Sequence, residues 1–346
     1  MPGSQGEIRF GLIGYGAWGS HHARAIEKTP GAILAAICAK SESSRKTALE
    51  NHPTAVIYAN LHDLVARPDL DIIDVVLPSY LHLEAGKAAL GAGKHLLMEK
   101  PLALTAAECL ELKRLAEVQQ KLLAVGFELR LSELWGQAKR ILDSGEIGEA
   151  RYGFIELWRR PYRQGAEGWR YDISRVGNWV LEEPVHFFDL ARWYFSAAGE
   201  PVSLFAQANS IQPGHPELND NFSACLQFGN GSYCLISQTL AAYGHTQTAK
   251  ITGAKGALWA SWSGAMDRDP KPTASLKVFN GIEVREAPLN KPTGELFELE
   301  EEIAAVVKAV RGQGNIPASA FDGLRAVELC EAAQDSIRQG KVVKLS

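Results

Sequence analysis

Several features are scarce or missing in this 346-residue sequence, and each absence removes a class of function. The five cysteines (Cys38, Cys109, Cys225, Cys234 and Cys330) are odd in number and never fall in CxxC spacing, so buried free thiols are expected rather than a disulfide framework or a zinc knuckle. There is no basic run and the formal net charge is −4, which argues against the clustered Lys/Arg footprint of a nucleic-acid partner. No stretch approaches the ~18 uninterrupted apolar residues of a membrane span. The opening MPGSQGEIRF lacks the apolar core of a signal peptide. A cytoplasmic protein with no membrane partner is expected. Neither an internal repeat nor a low-complexity segment interrupts the chain.

What remains is an ordinary globular composition, 46% hydrophobic and 22% charged, in a chain too long for one hydrophobic core, so two domains are expected. Residues 8–13 read as a buried strand, followed by a glycine-rich turn and a helix to about residue 28. Gly14, Gly16 and Gly19 form GxGxxG in that context. The first glycine suits a tight turn, the second a close approach of pyrophosphate to backbone, the third close helix–strand packing. The turn residues Gly14, Gly16, Ala17, Trp18 and Gly19 are therefore candidate dinucleotide contacts, with the helix N-terminus facing the phosphates.

The second strand, residues 33–39, ends 20 residues after Gly19, where NAD-binding folds usually carry an acid for the ribose hydroxyls. Here Ala39 stands there, followed by Lys40, Ser41, Ser43, Ser44 and Arg45. Without an acid, Lys40, Ser41 and Arg45 would welcome a 2′-phosphate, which favours NADP over NAD. The plainer alternative is that Ser43 or Ser44 caps the next helix and the two cations are solvated. Strands at 55–58, 71–77, 94–98 and 122–125 alternate with helices at 84–92 and from a Thr105 cap to about 120, which implies a parallel, doubly wound α/β sheet. Ligands bind such sheets at the carboxyl ends of the strands. Leu77, Pro78 and His82 lie at one such end, and Glu99, Lys100 and Pro101 at another.

Beyond residue 126 the rhythm changes to alternating runs such as RYGFIELW and FSACLQFGNGSYCLISQTL, with Asn230-Gly231 at a hairpin tip. An α+β domain on a large, mainly antiparallel sheet is expected, with one face free for a helix, a substrate or another subunit. That half-exposed face makes a homo-oligomer, dimer or tetramer, the expected state. The segment 177–193, GNWVLEEPVHFFDLARW, places Glu182, Glu183, His186 and Asp189 within eight residues, with Pro184 suited to the first turn of a helix. An imidazole flanked by carboxylates suits a general base. Acids favouring the helix dipole and a core histidine paired with Asp189 are the structural alternative. Glu183 and His186 also form Glu-x-x-His, but no second copy accompanies it and no metal is expected. Arg159, Arg160, Arg163, Arg170 and Arg175 interleave with Trp158, Tyr162, Trp169, Tyr171 and Trp179, a mixture that suits a sugar ring or, equally, core and subunit contacts. Helices at 300–311 and 318–339 read as packing elements; Tyr243 and His245 follow a strand and could line the pocket, with a solvated His245 the simpler reading.

GLIGYGAWGSHHARAI, VVLPSYLHLEAGKAALGAGKHLLMEKP, SGEIGEARYG, WRYDISRVGNWVLEEPVHFFDLARW and FDGLRAVELCEAAQDSIRQGK together resemble the Gfo/Idh/MocA family, relatives of glucose-fructose oxidoreductase and inositol dehydrogenase. The resemblance spans nearly the whole chain, and AGKHLLMEKP is its most specific block. It implies a Rossmann domain over residues 1–126 and a substrate-binding, oligomerising α+β domain over 127–346. It also implies hydride transfer between NAD(P) and a carbinol of a sugar, cyclitol or similar polyol. Lys100 then matches the lysine that touches both the reacting hydroxyl and the cofactor, and Glu99 the residue holding the nicotinamide ribose. His186 becomes the base, with Glu182 orienting it. WRYD matches the pattern ahead of the catalytic helix and adds Trp169, Arg170 and Asp172 as substrate contacts. The chain departs from the family pattern where Glu182 replaces Asp, Pro184 replaces Gly, Leu77 replaces Thr and Glu128 replaces Asn; Glu183 or Asp189 could then orient His186 instead. A glycosidase that oxidises and re-reduces its substrate on a retained NAD, and a non-catalytic NAD(P)-binding sensor, keep the same fold and change the job.

Overall fold

Short apolar strands bounded by glycine turns and capped helices dominate the first part of the chain. The computed structural model describes residues 6–345 apart from Pro213 and Asp267. Strands β1 (Ile8–Ile13), β2 (Ala32–Cys38), β3 (Val56–Tyr58), β4 (Ile72–Val75), β5 (His95–Glu99) and β6 (Leu123–Gly126) alternate with helices α1 (Gly19–Lys28), α2 (Glu42–Asn51), α3 (Leu61–Val65), α4 (His82–Gly91) and α5 (Ala106–Val118). All pairings are parallel and the order is β3-β2-β1-β4-β5-β6. The strand order reverses between β1 and β4, which opens a ligand crevice at the carboxyl ends of the strands. Local sequence sets several of these boundaries. Thr105 accepts from the Glu108 N–H while the Glu108 side chain reaches back, a capping box that starts α5. The Ser41 hydroxyl accepts from the Ser44 N–H and starts α2.

The second unit contains α6 (Glu133–Asp143), β7 (Ala150–Arg159), α7 (Ile173–Val176), α8 (Pro184–Tyr194), β8 (Pro201–Asn209), β9 (Asn221–Phe228), β10 (Tyr233–Thr239), β11 (His245–Gly253), β12 (Ala257–Gly264), β13 (Thr273–Phe279) and β14 (Val284–Glu286). Helices α9 (Glu295–Val310) and α10 (Ala320–Gln339) and strand β15 (Val343–Lys344) follow. The nine-stranded sheet runs β14-β13-β12-β11-β7-β10-β9-β8-β15, and only the β7–β10 pair is parallel. Period-two alternation gives it one buried face, carrying Ile155, Leu157, Leu226, Ile236 and Leu258, and helices α6 and α8 pack on the sheet. Trp158, Phe205, Tyr233 and Trp259 stand exposed on strands of the same sheet. Helix α8 begins with Pro184 in its first turn, as its sequence predicts, and every residue in it except Trp193 is buried. The ionisable side chains of His186, Asp189 and Arg192 are thus drawn into the interior along with its apolar ones, with Asp189 and Arg192 paired to opposite charges.

The chain separates into Met1–Glu128 with Leu299–Leu324, and Leu129–Glu298 with Arg325–Ser346. The segment Leu299–Leu324, which the sequence assigns to the second domain, thus groups with the parallel sheet. Leu299, Ile303, Val306 and Val307, spaced along one face of α9, join the core formed by Phe10, Leu12, Ile26, Leu34 and Ile37. The Val125 N–H donates to Ala318 O at 3.1 Å, and the Arg311 guanidinium donates to Gly31 O at 3.1 Å. No described helix is long and apolar enough to cross a membrane.

Candidate functional site

In the first unit the glycine-rich turn is built as its spacing predicts. Gly14 has φ +104, and a Cβ there would lie 2.1 Å from Val76 O; a Cβ on Gly19 would lie 2.0 Å from Gly14 O. These two glycines permit the turn and the close packing of α1. Gly16 differs, because its missing Cβ would point into open space. That space, beside the start of α1 with no side-chain cap, is what a pyrophosphate needs, so the residues present fit a dinucleotide. Tyr15 is buried within the turn, and its hydroxyl meets His52 Nε2 at 3.1 Å and the Asn51 amide at 3.2 Å.

At the end of β2, Ala39 is buried and Lys40 is exposed. Ser41 spends its hydroxyl on the cap of α2, so the cap is Ser41 rather than Ser43 or Ser44, and Arg45 folds back to donate to Ala39 O at 3.1 Å and Lys40 O at 2.5 Å. At the end of β4, the Leu77 carbonyl faces His82 Nε2 at 2.9 Å, while His82 Nδ1 faces Pro101 O at 2.7 Å. His82 is fully buried, so it ties the Pro78 turn to the Lys100–Pro101 turn, whose peptide bond is cis.

The Glu99 carboxylate is the most heavily engaged group at this edge. Its Oε1 accepts from the Trp18 indole N–H at 2.8 Å and meets His22 Nε2 at 3.1 Å; its Oε2 accepts from the Lys100 backbone N–H at 3.2 Å. The Trp18 bond joins the glycine-rich turn to the EKP block. His22 Nδ1 meets Asp74 Oδ2 at 2.8 Å, and His22 and Asp74 are fully buried. Burial alone would lower the His22 pKa, but the facing Asp74 and Glu99 carboxylates override it and push it up to about 10. Burial likewise opposes ionisation of Glu99, yet the His22 bond and charge, with Lys100 and Trp18, hold it down to about 2. Asp74 moves the other way, raised by burial that His22 only partly offsets. Glu302 on α9 is buried too, and desolvation with repulsion from Glu99 keeps its carboxyl well above the usual range. His22 and Asp74 join this cluster around Glu99, and sequence reasoning missed them. Their signals were present: an acid inside the apolar strand IIDV, and a histidine one helical turn past Gly19 on the buried side of α1.

In the second unit each acid of 177–193 meets an arginine. Glu182 accepts from Arg170 Nε at 2.8 Å, Glu183 from Arg159 Nη1 at 3.1 Å, and Asp189 accepts from Arg130 Nε and Nη2, both at 2.7 Å. His186 is buried on α8. The Arg170 guanidinium lies over Trp169 at 4.4 Å from the ring centroid, and Arg159 over Tyr162 at 4.6 Å. Trp179 and Tyr162 are core residues that meet edge to face, and the Trp179 indole donates to Arg170 O at 2.8 Å. Asp172 is exposed and caps α7, accepting from the Ser174 hydroxyl and backbone N–H, which lowers its pKa. His245 is not solvated: its position in β11 points it to the buried face, where it meets Gln247 at 2.9 Å and the edge of Trp262. Among the described residues no group of three or more His, Cys, Asp and Glu side chains is placed to hold a metal ion. All five cysteines are free, and all but Cys225 are buried.

Comparison with known proteins agrees with this geometry. The model of the oxidoreductase family with an NAD-binding Rossmann fold matches residues 8–127, and that of the GFO/IDH/MocA C-terminal domain matches residues 135–259. Inositol 2-dehydrogenase of Rhizobium meliloti (strain 1021) is 27% identical over 346 residues, covering 98% of this chain and 99% of its own. Levoglucosan dehydrogenase, solved with NADH, superposes with a TM-score of 0.87 at 21% identity, over 98% of this chain and 99% of that one. Aldose-aldose oxidoreductase from Caulobacter crescentus, solved with glycerol, superposes with a TM-score of 0.83 at 19% identity, over 98% and 100%. At these identities the two structures speak to the fold. With both family domains matched in order, a glycine turn open at Gly16 and a Glu99–Lys100 block beside it, this chain belongs to the Gfo/Idh/MocA family of oxidoreductases.

Proposed function

We propose that this oxidoreductase is an NAD(P)-dependent dehydrogenase acting on a carbinol of a sugar, cyclitol or glycoside. The observation that carries the reading is the Trp18–Glu99 bond, which brings the glycine-rich turn and the Glu99–Lys100 block to one strand edge of the parallel sheet. The inositol dehydrogenase relative supports the substrate class. Gly14, Gly16, Ala17, Trp18 and Gly19 hold the pyrophosphate, and Glu99 the nicotinamide ribose. Leu77, Pro78 and His82 form the neighbouring wall. The bound nicotinamide supplies hydride transfer. Oxidation of a carbinol then requires a base for its proton and a cation for the developing alkoxide. His186 is assigned as the base, Glu182 as the group that orients it, and Lys100 as the alkoxide stabiliser. Trp169 and Arg170 present a ring face and a guanidinium to the substrate, and Asp172 shapes the segment through its cap on α7.

NADP is the preferred cofactor in this proposal, because β2 ends on Ala39 with Lys40 exposed beside it. A homo-oligomer covering the sheet face around Phe205, Tyr233 and Trp259 belongs to the same reading, as does a cytoplasmic setting in which five thiols stay reduced. The test is an initial-rate screen of sugars, inositols and glycosides with NAD and NADP in parallel, repeated on Lys100→Ala. Cofactor reduction that Lys100→Ala abolishes, with cofactor affinity kept within a few fold, is the expected result. Unchanged turnover in Lys100→Ala would sink the assignment. Activity with NAD alone would overturn the NADP preference, and glycoside hydrolysis without net cofactor reduction would replace the dehydrogenase by a retained-NAD glycosidase.

A further inference from the structure

We infer that His22, held by Asp74, is a positioning residue that fixes the Glu99 carboxylate for the cofactor ribose and so sets cofactor affinity without touching the cofactor. The inference rests on the reading that Glu99 faces the ribose. A carboxylate offers about four lone-pair directions. Glu99 Oε1 engages two donors, Trp18 at 2.8 Å and His22 at 3.1 Å, and Oε2 engages one, the Lys100 N–H at 3.2 Å. One direction on Oε2 is left for a ligand hydroxyl. Swinging the carboxylate away would break both Oε1 bonds together. Gly126 on the adjacent strand lets it lie there, since a Cβ at that position would sit 3.1 Å from Oε1.

Both ring nitrogens of His22 face carboxylates, Nδ1 toward Asp74 and Nε2 toward Glu99. Two acceptors that both require a donor select the imidazolium, and the raised His22 pKa agrees with that charge. Asp74 stands on β4, Glu99 at the end of β5, and Trp18 and His22 at the start of α1. Lys100, which follows β5, and Glu302 of α9 are the other titratable groups acting on the cluster. The helix that begins at the phosphate-binding turn therefore also supplies both side-chain donors to the ribose carboxylate. Phosphate cradle and ribose anchor are one rigid piece, and a ligand held at both points gains from that pre-organisation.

The experiment is fluorescence titration of NADH and NADPH into full-length protein carrying Glu99→Gln, His22→Gln, both changes together, or Asp74→Asn, with thermal unfolding as the folding check. Glu99→Gln and His22→Gln are each expected to weaken binding by about tenfold or more, and the double variant to be no weaker than the worse single, as for two residues acting through one contact. Wild-type NADH affinity is expected to stay flat between about pH 5 and 8, whereas in His22→Gln it falls toward the acid end of that range, because Glu99 loses the His22 charge and hydrogen bond while burial still opposes its ionisation. Affinity unchanged in Glu99→Gln would remove the ribose reading and this inference with it. Weakening in Glu99→Gln alone, or additive losses in the double variant, would overturn only the role of His22. Where His22→Gln does not fold, Asp74→Asn decides: weaker cofactor binding with a new pH dependence supports the inference, and wild-type binding across the range overturns it.

Discussion

Arg170 donates its Nε–H to Glu182 Oε2 at 2.8 Å, so the carboxylate proposed to orient His186 is itself held by an arginine twelve residues earlier. The same guanidinium stacks on Trp169, which makes it a planar, charged platform rather than a simple counterion. Arg170→Met is expected to lower kcat/KM by about tenfold or more while leaving cofactor affinity as it was; a tenfold loss corresponds to about 1.4 kcal/mol of transition-state stabilisation. Arg170→Lys restores charge but neither fork nor stacking and should recover only part of the loss. Steady-state kinetics beside a cofactor titration separates the two effects, and an unchanged kcat/KM would take Arg170 out of the substrate site.

Asp189 tells a different story from Glu182. Both of its oxygens are taken by Arg130; the Asp189 side chain is buried and that of Arg130 is largely covered. Removing one partner from such a pair strands a buried charge and costs about 3–5 kcal/mol. Asp189→Ala is therefore expected to shift the urea unfolding midpoint strongly. A midpoint within experimental scatter of wild type would show that the pair contributes little to stability.

The glycines of the turn should separate by what they face. Gly19→Ala presses a methyl against Gly14 O and is expected to cost about 1–3 kcal/mol of stability, as overpacking does. Gly16→Ala meets nothing in the protein and should unfold like wild type, yet bind cofactor more weakly because its methyl enters the open space. Calorimetry with a parallel cofactor titration reads both. Equal affinity in Gly16→Ala would place the pyrophosphate elsewhere.

The buried cluster around His22 predicts the pH dependence of stability. His22 has its pKa raised from 6.5 to about 10 on folding, so its contribution is complete below about pH 6.5 and is lost as pH rises through about 10. Glu99 is lowered from 4.5 to about 2, so its contribution is complete above about pH 4.5 and is lost as pH falls through about 2. Unfolding free energy measured against pH should therefore decline on the alkaline side of neutrality, and His22→Gln should flatten that decline. Parallel alkaline limbs in the two proteins would show that His22 carries no such charge in the folded state.

Local chemistry was legible in the residue order. GxGxxG after a strand, the Thr105 cap, Pro184 in a first helical turn and the Asn230-Gly231 hairpin all depend on neighbours within a few positions, and all appear where the spacing predicts them. Period alone also separated the parallel sheet from the antiparallel one. What residue order could not supply was the choice of partner among groups far apart in the chain. Three acids within eight residues each had several arginines in reach on paper, and packing alone assigned Arg170 to Glu182, Arg159 to Glu183 and Arg130 to Asp189. His245 followed the same logic, since strand parity turned it inward. The Leu299–Leu324 segment reads as generic amphipathic packing, and its apolar stripe does not say which core it joins. His22, Asp74 and Glu99 come from one helix and two strands that meet only once the parallel sheet is assembled. Short-range rules act through a few covalent bonds and can be read in order, whereas burial and charge pairing depend on which surfaces close on each other.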